Sequence, residues 1–279
     1  MGLTIFYWIV LLSTFVGIYY LGVKTDLKLW ARVIIALVAG AILGFIFGDL
    51  AASSKWIGDL FVRFIRMLVV PLIFTSLVAG VVSMGDPKRL GSIGVKTIAL
   101  YMLTTLFAII IGLVLGTLFK PGMGIELTGV DPFTMGSSSM SVADRLFGIV
   151  PTNPISSLAK GDVLPIIFFS ILLGIGIILG GEKTKALGDV FSAAAEAVLK
   201  IAHMVMQMAP YGVLSLIAWV AGTMGLSALQ NLFVLTVILY AGCLIHIIFV
   251  YGGLIRFIAR LPLSNFFKGI LNKELALKK

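Results

Sequence analysis

Three oxygen-bearing side chains, Tyr101, Thr104 and Thr105, fall within about one helical turn of each other in the apolar stretch Thr97 to Phe119. Oxygen ligands suit a hard cation such as Na⁺, by extension from the better-described Ca²⁺ and Mg²⁺ sites. The plainer reading is that threonine in an apolar helix donates back to its own backbone. Glu196, Lys200 and His203 form a second group, spaced i, i+4 and i+7 on one helix face. Inside a membrane such a face could relay protons or hold an anion. The favoured reading is a Glu196–Lys200 ion pair with His203 at an interface. His246 stands alone among Ile and Leu and reads as a hydrogen-bonded structural histidine. The single cysteine, Cys243, reads as a small buried hydrophobe, and one cysteine allows neither an intrachain disulfide nor a thiolate metal cluster. There is no HExxH, GxSxG or phosphate loop, so the chain reads as no enzyme and as requiring no organic cofactor.

The element expected to organise the rest is GDLFVRFIRMLVVPLIFTSLVAG, Gly58 to Gly80. Asp59, Arg63 and Arg66 share one face of this helix. A charge at the bilayer centre costs from about 2.5 kcal/mol upward, so these residues should lie near an interface, snorkel to it or pair, with Asp59–Arg63 the expected pair. Pro71 removes one backbone hydrogen bond, which neighbouring helices must offset, so the helix belongs inside a bundle. Pro210, in MQMAPYGVLSLIAW, is a second proline assigned a structural role.

Hydrophobic residues make up 60% of the 279 and charged residues 12%, far from soluble proportions. Seven apolar segments are long enough to cross a bilayer: Leu3 to Val23, Ala31 to Gly48, Ile57 to Ser83, Thr97 to Phe119, Val163 to Gly180, Ala193 to Val220 and Leu226 to Ile255. The first lacks a basic n-region and a small-residue cleavage site and reads as a retained span. The net charge of +9 could suggest nucleic acid, but most of the Lys and Arg residues fall between spans. Keeping the basic loops in the cytoplasm puts the amino terminus outside and the carboxyl terminus inside. The expectation is therefore an all-α polytopic membrane helix bundle of about seven transmembrane helices, N-out and C-in, with the lipid bilayer as partner and no nucleic acid.

Ala36, Gly40, Gly44 and Gly48 form a stripe of small residues along which another helix can approach. Ala108, Gly112 and Gly116 repeat the device, as do Gly176 and Gly180; all are read as packing surfaces. Lys120 to Gly161, rich in Pro, Gly and Ser, reads as an extramembrane loop, and GIVPTNPISSLAKGDVLPII as a return into the membrane. Elsewhere no span looks interrupted. The tail SNFFKGILNKELALKK could form an amphipathic helix on the cytoplasmic surface.

On the long matches GDLFVRFIRMLVVPLIFTSLVAG, FKPGMGI, IVPTNPISSLAKGDVLPIIFFSILLGI and MQMAPYGVLSLIAW, the chain resembles the sodium:dicarboxylate symporter family. The resemblance implies a homotrimer in the plasma membrane, in which a scaffold holds the subunits together while a transport domain carries substrate with Na⁺ or H⁺ as coupling ion. It implies residues 1–25 as an additional span, 26–92 and 162–225 as scaffold, and 93–120 and 226–261 as transport-domain helices. Residues 121–161 become an extracellular loop and 262–279 a tail where a first re-entrant hairpin would begin. Tyr101, Thr104 and Thr105 match one of the family's Na⁺ sites position by position. The family's hairpins and NMDGT helix, which carry the substrate ligands, have no counterpart here. The chain is thus expected to hold the trimerisation scaffold and half of one cation site. It would handle a dicarboxylate or amino-acid substrate only if the remaining part is supplied. The alternatives are a non-transporting membrane scaffold derived from that family and, least favoured, an intramembrane enzyme using Glu196, Lys200 and His203.

Overall fold

The computed structural model describes residues 2–25, 27–85, 87–121, 144, 147–258, 260 and 262. No strand occurs among them. The helices are α1 (Gly2–Lys24), α2 (Leu29–Phe47), α3 (Lys55–Ser83), α4 (Pro87–Phe119), α5 (Pro154–Lys160), α6 (Val163–Gly180) and α7 (Lys185–Gln207). They are followed by α8 (Ala209–Gly225) and α9 (Ser227–Phe257), which meet at a non-helical Gly225. Five helical stretches are long and apolar enough to cross a membrane, or up to six with the bent pair α7 and α8. The chain is an all-α, polytopic membrane protein. Large apolar side chains such as Leu3, Phe45, Leu113 and Phe233 are exposed along these helices, as lipid-facing surface requires.

Two compact units form, one from Met1–Gly91 with Leu127–Ala228, the other from Ser92–Glu126 with Leu229–Lys279. In the first, α2 lies against α8. A Cβ placed on Gly40 would come within 2.5 Å of the Leu214 carbonyl oxygen, and one on Gly44 would overlap the Ala218 carbonyl. The stripe is a packing surface, as its spacing predicts. Gly48, at φ +56°, ends α2, and a 3₁₀ turn over Gly48–Ser54 leads into α3. Gly58 of α3 also meets Leu216 and Gly212. Since α2 and α3 touch the same stretch of α8, the chain reverses between them. The run Leu29–Ser83, 55 residues, is therefore two limbs; as one helix it would reach roughly 80 Å, against about 30 Å of hydrocarbon.

The turn is fixed by a buried hydrogen bond, Tyr7 Oη with Ser54 Oγ at 2.6 Å, while Ser54 Oγ also donates to the Ala51 carbonyl at 2.9 Å. Tyr7 meets Phe47 edge-on at 5.1 Å within the cluster that includes Leu11, Leu43, Leu214 and Ala218. The additional first helix is thereby tied to the bundle.

α3 packs against both α6 and α7 and runs unbroken through Pro71. Its charges do not pair as expected. Asp59 Oδ2 lies 4.0 Å from Lys55 Nζ, and that ammonium sits 4.3 Å over the Trp219 ring. With Lys55 anchored on an aromatic face one turn earlier, Asp59 is engaged there, and Arg63 and Arg66 stay exposed, in no ion pair among the described residues. The arginine face is thus the outer face of α3 in this chain, opposite the one bearing Phe61, Leu68, Thr75 and Val78.

The expected single span Ala193 to Val220 is a bent pair instead. α7 ends at Gln207 and α8 begins at Ala209, with 46° between them. Pro210 is fully buried at this corner, and with no N–H to donate it cannot continue the ladder of α7. The Gly176 and Gly180 stripe also fails. Gly176 has nothing within 4 Å and Gly180 meets Thr184, whereas Gly174 is the residue pressed against Val81 of α3, at 2.7 Å from an added Cβ. The turn that precedes α6 is built by Asn153, whose side chain accepts from the amides of Ile155 and Ser156, and by left-handed Gly161. Most of the 121–161 loop and the 262–279 tail lie outside the described residues.

Gly44→Leu should lower the stability of the detergent-solubilised chain by about 1–3 kcal/mol, the usual cost of overpacking. Thermal unfolding followed by tryptophan fluorescence measures it; an unchanged midpoint would mean that α2 and α8 do not approach this closely.

Candidate functional site

The second unit contains a cavity of about 600 Å³ between α4 and α9. Tyr101, Thr104 and Thr105 line one part of it, Cys243, His246 and Tyr251 another, and Ala108, Gly112 and Gly116 form its smooth wall. Gly112 and Gly116 would meet nothing within 4 Å if given a Cβ. In α4, then, small residues leave space, whereas in α2 they close it.

Thr104 Oγ1 donates to the Tyr101 carbonyl at 3.0 Å, the back-bond that an apolar helix favours. This does not remove it as a ligand. A hydroxyl that gives its proton to a carbonyl keeps its oxygen lone pairs, and a cation needs those. Among the described residues no carboxylate lines the cavity, and no group of three or more His, Cys, Asp or Glu gathers anywhere. The wall therefore offers neutral oxygens only, one side of a cation site rather than a whole one.

On α9 the structure departs from expectation three times. The helix is interrupted after all, since His246–Tyr251 and Leu254–Ile258 wind as π-helix. Such turns are rare and often mark functional positions. Bonding from i to i+5 brings residues five apart onto one face, and His246 and Tyr251 meet edge-on with ring centroids at 4.9 Å. His246 is not hydrogen-bonded through Nδ1, which is buried without a partner. Cys243 is exposed rather than buried, and borders the cavity. An exception to a 3.6-residue pattern leaves no mark in hydrophobic periodicity, and only the neighbouring Gly252 and Gly253 hint at it.

Glu196, Lys200 and His203 lie exposed on α7, in the first unit. Among the described residues no ion pair joins Glu196 to Lys200. Nothing gathers around them into a relay.

Residues 29–276 match the sodium:dicarboxylate symporter family. The chain belongs to that family. It is 37% identical over 236 residues to a proton/sodium-glutamate symport protein of Bacillus caldotenax, covering 81% of the chain and 56% of that relative. Against the proton/glutamate-aspartate symporter of Escherichia coli (strain K12) the identity is 35% over 244 residues, 81% of the chain and 56% of the relative. A C4-dicarboxylate transport protein of Rhodopseudomonas palustris is 32% identical over 256 residues, 88% and 56%. The chain thus spans about half the length of the curated relatives it matches. Family membership makes it a multi-pass cell-membrane protein of a transporter family and not an enzyme.

Since an added methyl on Gly112 meets open space, Gly112→Ala should raise stability by up to about 1 kcal/mol through helix propensity. Urea or thermal unfolding of the two proteins compares them. A loss instead would mean that the cavity wall is closed by another group.

Proposed function

We propose that the chain supplies the stationary frame and one face of a cation site for a symporter that couples Na⁺ or H⁺ to uptake of dicarboxylates or of acidic or neutral amino acids. The observation that carries this reading is the convergence of Tyr101, Thr104 and Thr105 on one cavity of the second unit. The division of the chain supports it: residues 92–126 and 229–279 cluster apart from the remainder, which suits two helices that move with cargo and others that do not. The names of the relatives support the coupling ion and the substrate class.

In this reading α1, α2, α3, α4, α6, the bent α7–α8 and α9 are seven crossings, with the amino terminus outside and the carboxyl terminus inside. The frame is the trimerisation scaffold of a homotrimer. The three hydroxyl-bearing residues replace part of the cation's water shell, and the charge that neutralises it comes from a segment that this cavity wall faces. Transport then follows from linkage: an ion that binds more tightly when substrate is present carries the substrate down the ion's own gradient.

Thr104→Val removes the lone pairs while keeping the shape. In the complete protein, reconstituted in liposomes, it should raise severalfold the Na⁺ concentration for half-maximal uptake of glutamate, aspartate or succinate. An unchanged requirement would reduce Thr104 to its back-bond with the Tyr101 carbonyl. The 279-residue chain alone should show no concentrative uptake under either gradient, and robust uptake would overturn the assignment of the substrate site to another segment.

A further inference from the structure

At the α1–α2 turn of the first unit the fold holds in place a cation that has no counter-ion among the described residues. Arg32, in the first turn of α2, donates from Nη2 to Gln207 Oε1 at 2.8 Å. Its guanidinium lies against Gly22 of α1, where an added Cβ would fall 2.5 Å from Nη1. Its Nε is buried and has no hydrogen-bond partner. The guanidinium is therefore wedged between α1 and α7 and tied to a neutral amide. Among the described residues the ion pairs are Lys55–Asp59 and Lys185–Glu182, and neither involves Arg32.

Other cations lie at the same height. Val33, Phe64 and Ala202 pack against one buried cluster of Phe61, Leu68, Val205 and Ala209. At a rise of about 1.5 Å per residue, Arg32, Arg63, Arg66 and Lys200 fall within about two turns of one level on three neighbouring helices. Lys24 and Lys28 flank the turn, and the Lys24 ammonium sits 4.8 Å over the Tyr20 ring. The acids near this level in sequence are Asp26, Asp59 and Glu196, with Asp59 engaged by Lys55, which leaves the belt net positive.

A second observation says what surrounds the belt. Tyr19 and Tyr20 at the end of α1 and Trp30 at the start of α2 are all exposed. Exposed Tyr and Trp at helix ends mark the level of lipid headgroups. Ile34, Ile65 and Met67, also exposed, offer apolar surface for acyl chains beside the charges.

We infer that this belt binds the phosphate of an anionic phospholipid, in the leaflet bordering the α1–α2 turn, with Arg32 as its fixed donor and Arg66, Lys24 and Lys28 as adjustable ones. The phosphate oxygens accept from guanidinium N–H groups that lack a protein acceptor, and two acyl chains lie along the apolar flank. The lipid supplies a counter-charge that no described residue supplies to Arg32.

The test uses the whole chain in nanodiscs of phosphatidylcholine with a minor fraction of phosphatidylglycerol, followed by detergent extraction and native mass spectrometry. Phosphatidylglycerol should be retained in preference to phosphatidylcholine, and each basic residue removed should lower retention about fivefold. Arg32→Gln is the primary variant and Arg32→Lys should keep part of the preference. Lys24→Gln with Lys28→Gln, both at exposed positions, serves where the Arg32 variants do not assemble. Equal retention of the two lipids, or unchanged retention in the double lysine and Arg66→Gln variants, would overturn the inference. So would displacement of the lipid by excess inorganic phosphate, which would make this a soluble-anion site.

Discussion

Gly40 and Gly44 let α2 lie on the backbone of α8, and much of the first unit follows from that approach. In a bilayer, burying one apolar surface against another brings little hydrophobic gain, since lipid tails are as apolar as leucine. What remains is close van der Waals contact, and two helices gain most of it when one presents no side chain. Seating α2 here positions Gly48 to turn the chain, brings Ser54 under Tyr7, and returns α3 to the same stretch of α8 through Gly58. Lys55 then reaches Trp219, and Asp59 follows Lys55. A local steric fact about two glycines thus propagates into the pairing of charges a helix away.

The sequence made much of this legible because composition and spacing act directly. Apolar runs of 20 or so residues have few alternatives to helix in a membrane, and a small residue every fourth position must line one face. Legibility ended where two arrangements were chemically equivalent. Asp59 can meet a cation at i−4 or i+4, and the choice fell to Trp219, more than 150 residues later. Gly174 and Gly176 both suggest packing, yet only the one facing Val81 is used. The bend before Pro210 had a visible cause, but a proline can be absorbed in a helix, as Pro71 is, or can end one. Which occurs depends on what α3 and α8 present at each level.

The cavity wall was legible in residue type and not in form. Tyr101, Thr104 and Thr105 were identifiable as oxygen donors, and they do converge on one space with Gly112 and Gly116 beside them. The contribution of α9 was hidden, because a change from i→i+4 to i→i+5 bonding depends on tertiary surroundings and not on any residue's own preference. That change turns His246 toward Tyr251 and leaves Nδ1 without a partner. A buried polar atom left unpaired beside open space, next to hydroxyls without a carboxylate, describes a surface whose polar groups are only half satisfied.

The two units differ in where they leave polar groups open. In the first, the buried hydroxyls are used up locally: Ser54, Ser170 and Ser215 are buried and each donates to a carbonyl. The excess cations are moved outward, onto the exposed face of α3 and the α1–α2 turn, where lipid phosphate and water can reach them. In the second, Thr104 also donates back to a carbonyl, yet Tyr101, Thr104 and Thr105 still line a space. A rigid frame benefits from the first arrangement, since every satisfied donor removes a reason to rearrange. In the function proposed above, the second arrangement leaves lone pairs free for an ion, because a site already saturated by its own protein has nothing left with which to bind.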